Sequence, residues 1–266
     1  MKTILPLLLF FFILDLTAAD CNTIRTRYEC PGHEKYPIHL SFDDGPADRT
    51  PALLDLLKKE HIPATFFIIA ERIDCQPHRN RCQTGDQAAC QSLQYCLEHK
   101  KTLQRTIREG HTIGSHSYNH LHLSTLPYTE MEAQISHSKQ LLAPYFNTSP
   151  PLFRLPYGDG WFNRAEKPAV LETLHNYGFQ HIAWEMSAFD WREADQQGDK
   201  ILQTVMHEIC TKKRGVILFH DGDSEQEHIG RTFTLKHIAE WIPAMRCVAD
   251  FKPLNYFYKN VKVIKR

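Results

Sequence analysis

His116-Ser117-Tyr118-Asn119-His120 places two histidines four residues apart, a spacing at which one helical turn can present both imidazoles to a single metal ion. The chain holds 16 histidines, so such a pair gains meaning only with a third ligand. Ser41-Phe42-Asp43-Asp44-Gly45-Pro46 offers one. Adjacent carboxylates are costly to hold together without a cation or a shared proton, although an Asp-Gly pair is otherwise an ordinary turn former. Neighbouring side chains on an extended strand point to opposite faces. Both carboxylates can therefore serve one site only if the strand breaks there, and Gly45-Pro46 is suited to breaking it. Three further clusters follow: Arg154-Leu155-Pro156-Tyr157-Gly158, Asp190-Trp191 and Leu218-Phe219-His220-Asp221. Each alone has an ordinary explanation: a surface arginine beside a turn, a buried tryptophan near a loop, a histidine capping a strand. Together they hold the groups that hydrolysis of an amide or ester requires, namely a metal to activate water, a carboxylate to take a proton and a histidine to give one.

Apolar stretches alternate with stretches of helical period along the chain. Strands are expected at 37–42, 65–69, 112–115, 152–154, 181–184, 216–219 and 254–257. Helices are expected near 51–60, 88–109, 129–145, 165–177, 200–211 and 232–241. This alternation predicts parallel strands joined by crossover helices, and Gly110 and Gly178 stand where helix C-caps would. The polar clusters fall at the C-terminal ends of the strands, where barrels of this kind collect their chemistry. No glycine-rich turn follows the first strand, which argues against an open dinucleotide-binding sheet. The expected architecture is an α/β barrel of about seven parallel strands. One polar segment, 73–100, reads as irregular and carries four cysteines. It is expected to be a disulfide-pinned surface insertion near the barrel mouth, serving either stability or the shape of a substrate groove.

The five motifs, in this order, resemble those of the polysaccharide deacetylases, the NodB-homology carbohydrate esterases. That family carries Thr/Ser-Phe-Asp-Asp-Gly-Pro, His-Ser/Thr-x-x-His, Arg-x-Pro-Tyr-Gly, Asp-Trp and Leu-x-His, and the match runs from about residue 36 to 257. The resemblance implies a distorted (β/α) barrel of NodB-homology type. It also implies a divalent metal, usually zinc, held by Asp44, His116 and His120. By the same carry-over Asp43 is the general base and His220 the general acid. Arg154 orients Asp43, Asp190 orients His220, and the backbone N–H of Tyr157 helps stabilise the oxyanion. Trp191 and Leu218 wall the pocket for the acetyl methyl. The family often has a second aspartate three residues before the Asp-Trp pair; Ser187 stands there in this chain, which bears on the hydrogen bonding around His220. The implied activity is removal of N-acetyl groups from an N-acetylglucosamine-containing polysaccharide of chitin or peptidoglycan type. An O-acetyl esterase on acetylated xylan, or a non-catalytic carbohydrate-binding protein on the same barrel, is the alternative.

Residues 1–19 have the layout of a secretory signal peptide: Lys2, an apolar run at 4–14, then Thr17-Ala18-Ala19. The run is short of the roughly 20 apolar residues that span a bilayer, so no stable membrane insertion is expected after cleavage. Residues 20–266 then form one catalytic domain, exported to a secreted or periplasmic location. All eight cysteines lie in that part, and an even count in an exported chain predicts disulfides. The four between 75 and 96 lack the short gaps of a structural zinc site. Basic and acidic residues balance at 31 each, so nothing steers the chain towards nucleic acid. The expected partner is an acetylated polysaccharide or oligosaccharide. Mass spectrometry of exported protein is expected to find a mature start near Asp20 and disulfides within 75–96; eight free thiols would contradict this.

Overall fold

The computed structural model describes residues 34–159, 167–222 and 232–264, together with Cys21, Arg25, Thr26 and Glu29. The N-terminal apolar run, its cleavage point and Cys30 lie outside the described residues. In chain order the elements are β1 (Tyr36–Gly45), α1 (Thr50–Lys59), β2 (Ala64–Ile68), α2 (Gln76–Gln83), α3 (Gln87–Arg108), β3 (Thr112–Ser115), α4 (Tyr128–Leu142), β4 (Thr148–Ser149), β5 (Leu152–Phe153), α5 (Lys167–Asn176), β6 (Gln180–His181), β7 (Met186–Ser187), α6 (Lys200–Lys212), β8 (Gly215–His220), α7 (Thr232–Met245), β9 (Ala249–Phe251) and β10 (Lys262–Val263). The main sheet has the order β6-β5-β3-β2-β1-β8-β7, with β9 paired to the start of β1. Every pairing in it is parallel. The sheet curls into a half-barrel with the helices packed outside it.

Alternation along the strands builds two different interiors. On β1, Ile38, Leu40 and Phe42 face the helices, with Ala64, Phe66 and Ile68 of β2 and Ile217 and Phe219 of β8 in the same core. The residues between them point into the barrel. There Phe67, Leu152, Ile182, Val216 and Leu254 form a smaller apolar plug, and His39 and Thr65 are hydrogen-bonded at 2.8 Å. Helices α3 and α5 end at glycines with positive φ, Gly110 (+87°) and Gly178 (+74°). Beyond them His111 N–H reaches back to Thr106 O and Phe179 N–H to Leu174 O, the six-to-one bond of a Schellman motif.

Three expectations are corrected. The strand expected at 254–257 is a 3₁₀ turn, Leu254–Tyr256, and the final strand of the sheet is β9. Its apolar content plugs the barrel with Leu254, while Ala249–Phe251 completes the ladder on β1. The strand expected at 181–184 is two strands, β6 and β7, on opposite edges of the sheet. Residues 182–185 join them and run between the two edges of the half-barrel. Segment 73–100 is helical, formed by α2 and the first turns of α3. Helix α2 buries no side chain, so it has no apolar stripe to read. Disulfides Cys75–Cys96 and Cys82–Cys90 fasten it to α3, and Cys21–Cys210 ties the N-terminal segment to α6. Cys247 is also disulfide-bonded, to a partner outside the described residues. No described helix is long and apolar enough to cross a membrane.

Two buried histidines make the fold sensitive to acid. His39 donates from Nδ1 to Lys252 O and accepts from the Thr65 hydroxyl at Nε2, while His111 Nδ1 accepts from Ala64 N–H. Both pairings fit the neutral ring, and burial pushes each pKa down to about 4. The unfolded chain binds a proton at each ring near pH 6.5 and the folded chain does not. This stabilisation is therefore complete above about pH 6.5 and is lost as pH falls towards 4, on the order of 3 kcal/mol per histidine. Denaturant midpoints are expected to fall between pH 7 and 4.5, with a shallower fall in His39→Asn; identical slopes would contradict the assignment.

Candidate active site

Strand β1 breaks where its chemistry begins. Its register with β2 slips between Asp43 and Gly45, and Asp44 adopts a left-handed φ of +70°. The slip cancels the strict alternation, so both carboxylates line one cavity. Gly45 is required by close approach: a Cβ there would lie 2.5 Å from the Asp221 carboxylate. Thr50, at the start of α1, donates its hydroxyl hydrogen bond to the same carboxylate at 2.5 Å. Burial, followed by the neighbouring Asp44 and Asp43 charges, raises the Asp221 pKa to about 7 against the opposing pull of Thr50 and Arg72.

His116 and His120 converge without the helical turn that their spacing suggested. The loop after β3 turns instead through left-handed residues at Ser117 (φ +69°) and His120 (+61°). The buried Ser117 hydroxyl accepts from His120 N–H at 3.0 Å. His116 Nδ1–H donates to the Arg154 carbonyl at 2.9 Å, which fixes the tautomer and turns the lone pair of Nε2 inward. Nε2 of His116 lies 3.5 Å, and Nε2 of His120 3.2 Å, from Asp44 Oδ1. Ligand atoms on a tetrahedral zinc ion with bonds of about 2.0–2.1 Å are themselves about 3.4 Å apart. All three residues are buried, and one carboxylate with two imidazoles is a donor set that suits such an ion. The residues fit a divalent metal.

Beside this triad two oriented pairs come together from distant parts of the chain. Arg154 Nη1 donates to Asp43 Oδ1 and to Ser41 Oγ, both at 2.8 Å. Its Nε and Nη2 donate to the carbonyls of Ile182 and Ala183, and its guanidinium lies 4.0 Å from the centroid of the Phe67 ring. His220, which lines the cavity, donates from Nδ1 to Asp190 Oδ1 at 2.8 Å, while the other Asp190 oxygen accepts from His220 N–H and the Thr234 hydroxyl. Parallel register sets Asp43 directly opposite His220 and Ser41 opposite Leu218. A carboxylate held by a guanidinium and an imidazole held by a carboxylate thus stand side by side on adjacent strands.

The cavity above them has a volume of about 620 Å³. Tyr157, Trp191 and Leu218 line it, as do Trp184, Phe189 and Ser187. Tyr157 sits in a 3₁₀ turn with φ +57°, its ring 4.4 Å from that of His120 and stacked on His122 at 3.8 Å. All ten residues singled out from sequence as site candidates meet here or directly behind the cavity wall. Ser187 accepts from Phe189 N–H, and the second oxygen of Asp190 accepts from the Thr234 hydroxyl. Ser41 could have been found from its period-two relation to Asp43; Thr234 carried no local signal. No residue of 73–100 lines this cavity.

Comparison with known proteins agrees with this geometry. A peptidoglycan-N-acetylglucosamine deacetylase of Bacillus cereus is 28% identical over 223 residues, covering 82% of this chain and 85% of that protein. Chitin deacetylase 2 of Saccharomyces cerevisiae is 29% identical over 215 residues, covering 78% of this chain and 56% of that one. The fold is shared with a family pseudoenzyme from Bacillus anthracis, at a TM-score of 0.56 and 21% identity over 81% of this chain and 62% of the other. The polysaccharide deacetylase profile matches residues 31–182, more than half of the sequence, and the chain belongs to the polysaccharide deacetylase family.

Proposed function

We propose that this protein is a metal-dependent hydrolase that removes N-acetyl groups from an N-acetylglucosamine-containing polysaccharide. The observation that carries the reading is the register pairing of an Arg154-held Asp43 with an Asp190-held His220, beside the Asp44–His116–His120 cluster. A divalent ion at that cluster, with zinc the first choice, would polarise the acetyl carbonyl and acidify water there. Asp43 accepts a proton from the attacking water, and Arg154 fixes which carboxylate oxygen faces it. His220 Nε2–H donates to the nitrogen as the carbon–nitrogen bond breaks, giving acetate and a free amine. Asp190 holds the imidazole in place. The N–H of Tyr157 serves the developing oxyanion, and Trp191 and Leu218 exclude water around the acetyl methyl. Ester cleavage on acetylated xylan would use the same groups; the two relatives named for N-acetyl sugars support the amide. Disulfides among the described cysteines support export to an oxidising compartment, with residues 20–266 acting as one catalytic domain.

Acetate release from chitin oligomers or peptidoglycan glycan strands, abolished by chelation and restored by zinc, is the expected result. Release confined to acetylated xylan would replace the amide reading by the esterase one. No release from any substrate by metal-loaded protein would favour a non-catalytic binding protein.

The division of labour is tested by single substitutions. Asp43→Ala and His220→Ala should each lower kcat by about 10²–10⁴-fold while bound metal, measured by elemental analysis, stays near one equivalent. His120→Ala should lower metal content and activity together. Near-full activity in both Asp43→Ala and His220→Ala would overturn the mechanism.

A further inference from the structure

The cavity extends beyond the catalytic groups to a wall built by the residue before β7, the turn after that strand and α6, where Glu185, Arg192, Glu208 and Lys212 join its lining. Almost every charge in this lining has a local partner. Asp43 is paired with Arg154, and Asp44 lies against the two histidines. Glu185 Oε2 accepts from Val216 N–H at 2.7 Å. Glu208 holds Lys212 at 2.5 Å, and Lys212 also donates to the Glu185 carbonyl. Arg192 is the most loosely paired charge among the described lining residues. Its nearest carboxylate, Asp195, is 4.0 Å away and already holds Lys200 at 2.5 Å. The guanidinium is nevertheless not left loose. It lies 4.1 Å from the Phe189 ring centroid and 5.0 Å from that of Trp191, and the turn carrying it is closed by Arg192 N–H donating to Phe189 O at 3.0 Å. Stacking on two aromatic rings limits the orientations of the planar fork and leaves its edge for a ligand.

We propose that Arg192 is a carboxylate subsite, so that the enzyme prefers acetamido glycans bearing a carboxylate on a sugar next to the one deacetylated. This rests on the deacetylase reading above. A guanidinium edge matches a carboxylate with two parallel N–H···O bonds, whereas an uncharged chitin chain offers it only hydroxyls. Trp191 connects the two functions: one indole borders the acetyl pocket and supports the cation.

Three substrates test this with zinc-loaded wild type, Arg192→Ala and Arg192→Lys. They are the neutral tetramer of N-acetylglucosamine, an alternating uronic acid–N-acetylglucosamine oligomer, and peptide-free glycan strands whose carboxylate is an ether-linked lactate. Arg192→Ala should reduce kcat/KM on at least one carboxylated substrate about tenfold more than on the neutral tetramer, through KM rather than kcat, as expected for one charge-assisted bond at a half-exposed site. Arg192→Lys should recover part of the loss, and added salt should erode the wild-type preference. Which carboxylated substrate responds identifies the source of the carboxylate. Equal losses on all three substrates, or none, would overturn the subsite and leave Arg192 a prop for the aromatic wall. Calorimetric binding of the same oligosaccharides separates this from the parent reading. An Arg192-dependent preference without acetate release removes the deacetylase reading alone; release without that preference removes the subsite alone.

Discussion

The guanidinium of Arg154 is the interaction on which the site depends. It is fully buried, and a buried charge is tolerated only when it is paired and hydrogen-bonded. Its bonds run in two directions: to Ser41 and Asp43 at the centre of the sheet, and to the carbonyls of Ile182 and Ala183 in the connection between its two edge strands. The same residue's carbonyl holds the His116 ring. One side chain and its own peptide group thus join the candidate base, a candidate metal ligand and the connection between the two edge strands. Replacing Asp43 or Arg154 removes a structural partner as well as a chemical group, since breaking such a pair strands the remaining charge.

The helix-facing layer and the barrel interior carry different tasks because successive strand residues face opposite ways. Phe42 and Phe219, stacked at 5.9 Å, belong to the helix-facing core. Their chain neighbours Asp43 and His220 face the cavity. A slip of one residue in β8 against β1 would turn His220 outward and bury Phe219 among polar groups. The apolar core on one face therefore enforces the position of the chemistry on the other. Backbone conformation completes the arrangement at the strand ends. Asp44, Ser117, His120, Tyr157 and Phe189 all adopt positive φ, an arrangement that costs on the order of 1 kcal/mol or more at each non-glycine residue. Asp44, His120, Tyr157 and Phe189 line one cavity, and Ser117 lies behind it, bonded to His120 N–H.

The order of strands and helices was legible because hydrophobic period is a local property of the chain, and it survived in α1 and in α3 to α7. The motif residues were legible too, since residue type and spacing restrict which groups can hold a cation or move a proton. Convergence was not legible. Asp43 and Asp44 could share a site only through the bulge, and two histidines at helical spacing meet through a non-helical loop. Helix α2 gave no signal, having no buried face, and was fixed by its disulfides. The stretch 254–257 looked like a strand because apolar content marks burial, and a plugging turn is buried as well.

By itself, then, the sequence determined which chemical groups are available and that parallel strands would carry them to one end of a barrel. Tertiary structure alone decided which groups touch. Thr234 came to support Asp190 from a helix with no motif, and Arg192 came to rest on two aromatic rings with only a long contact to Asp195. The separation is physical. Periodicity and residue type are written in neighbouring positions, but a hydrogen bond between residues 190 and 234 exists only once register, twist and packing have fixed both backbones in space.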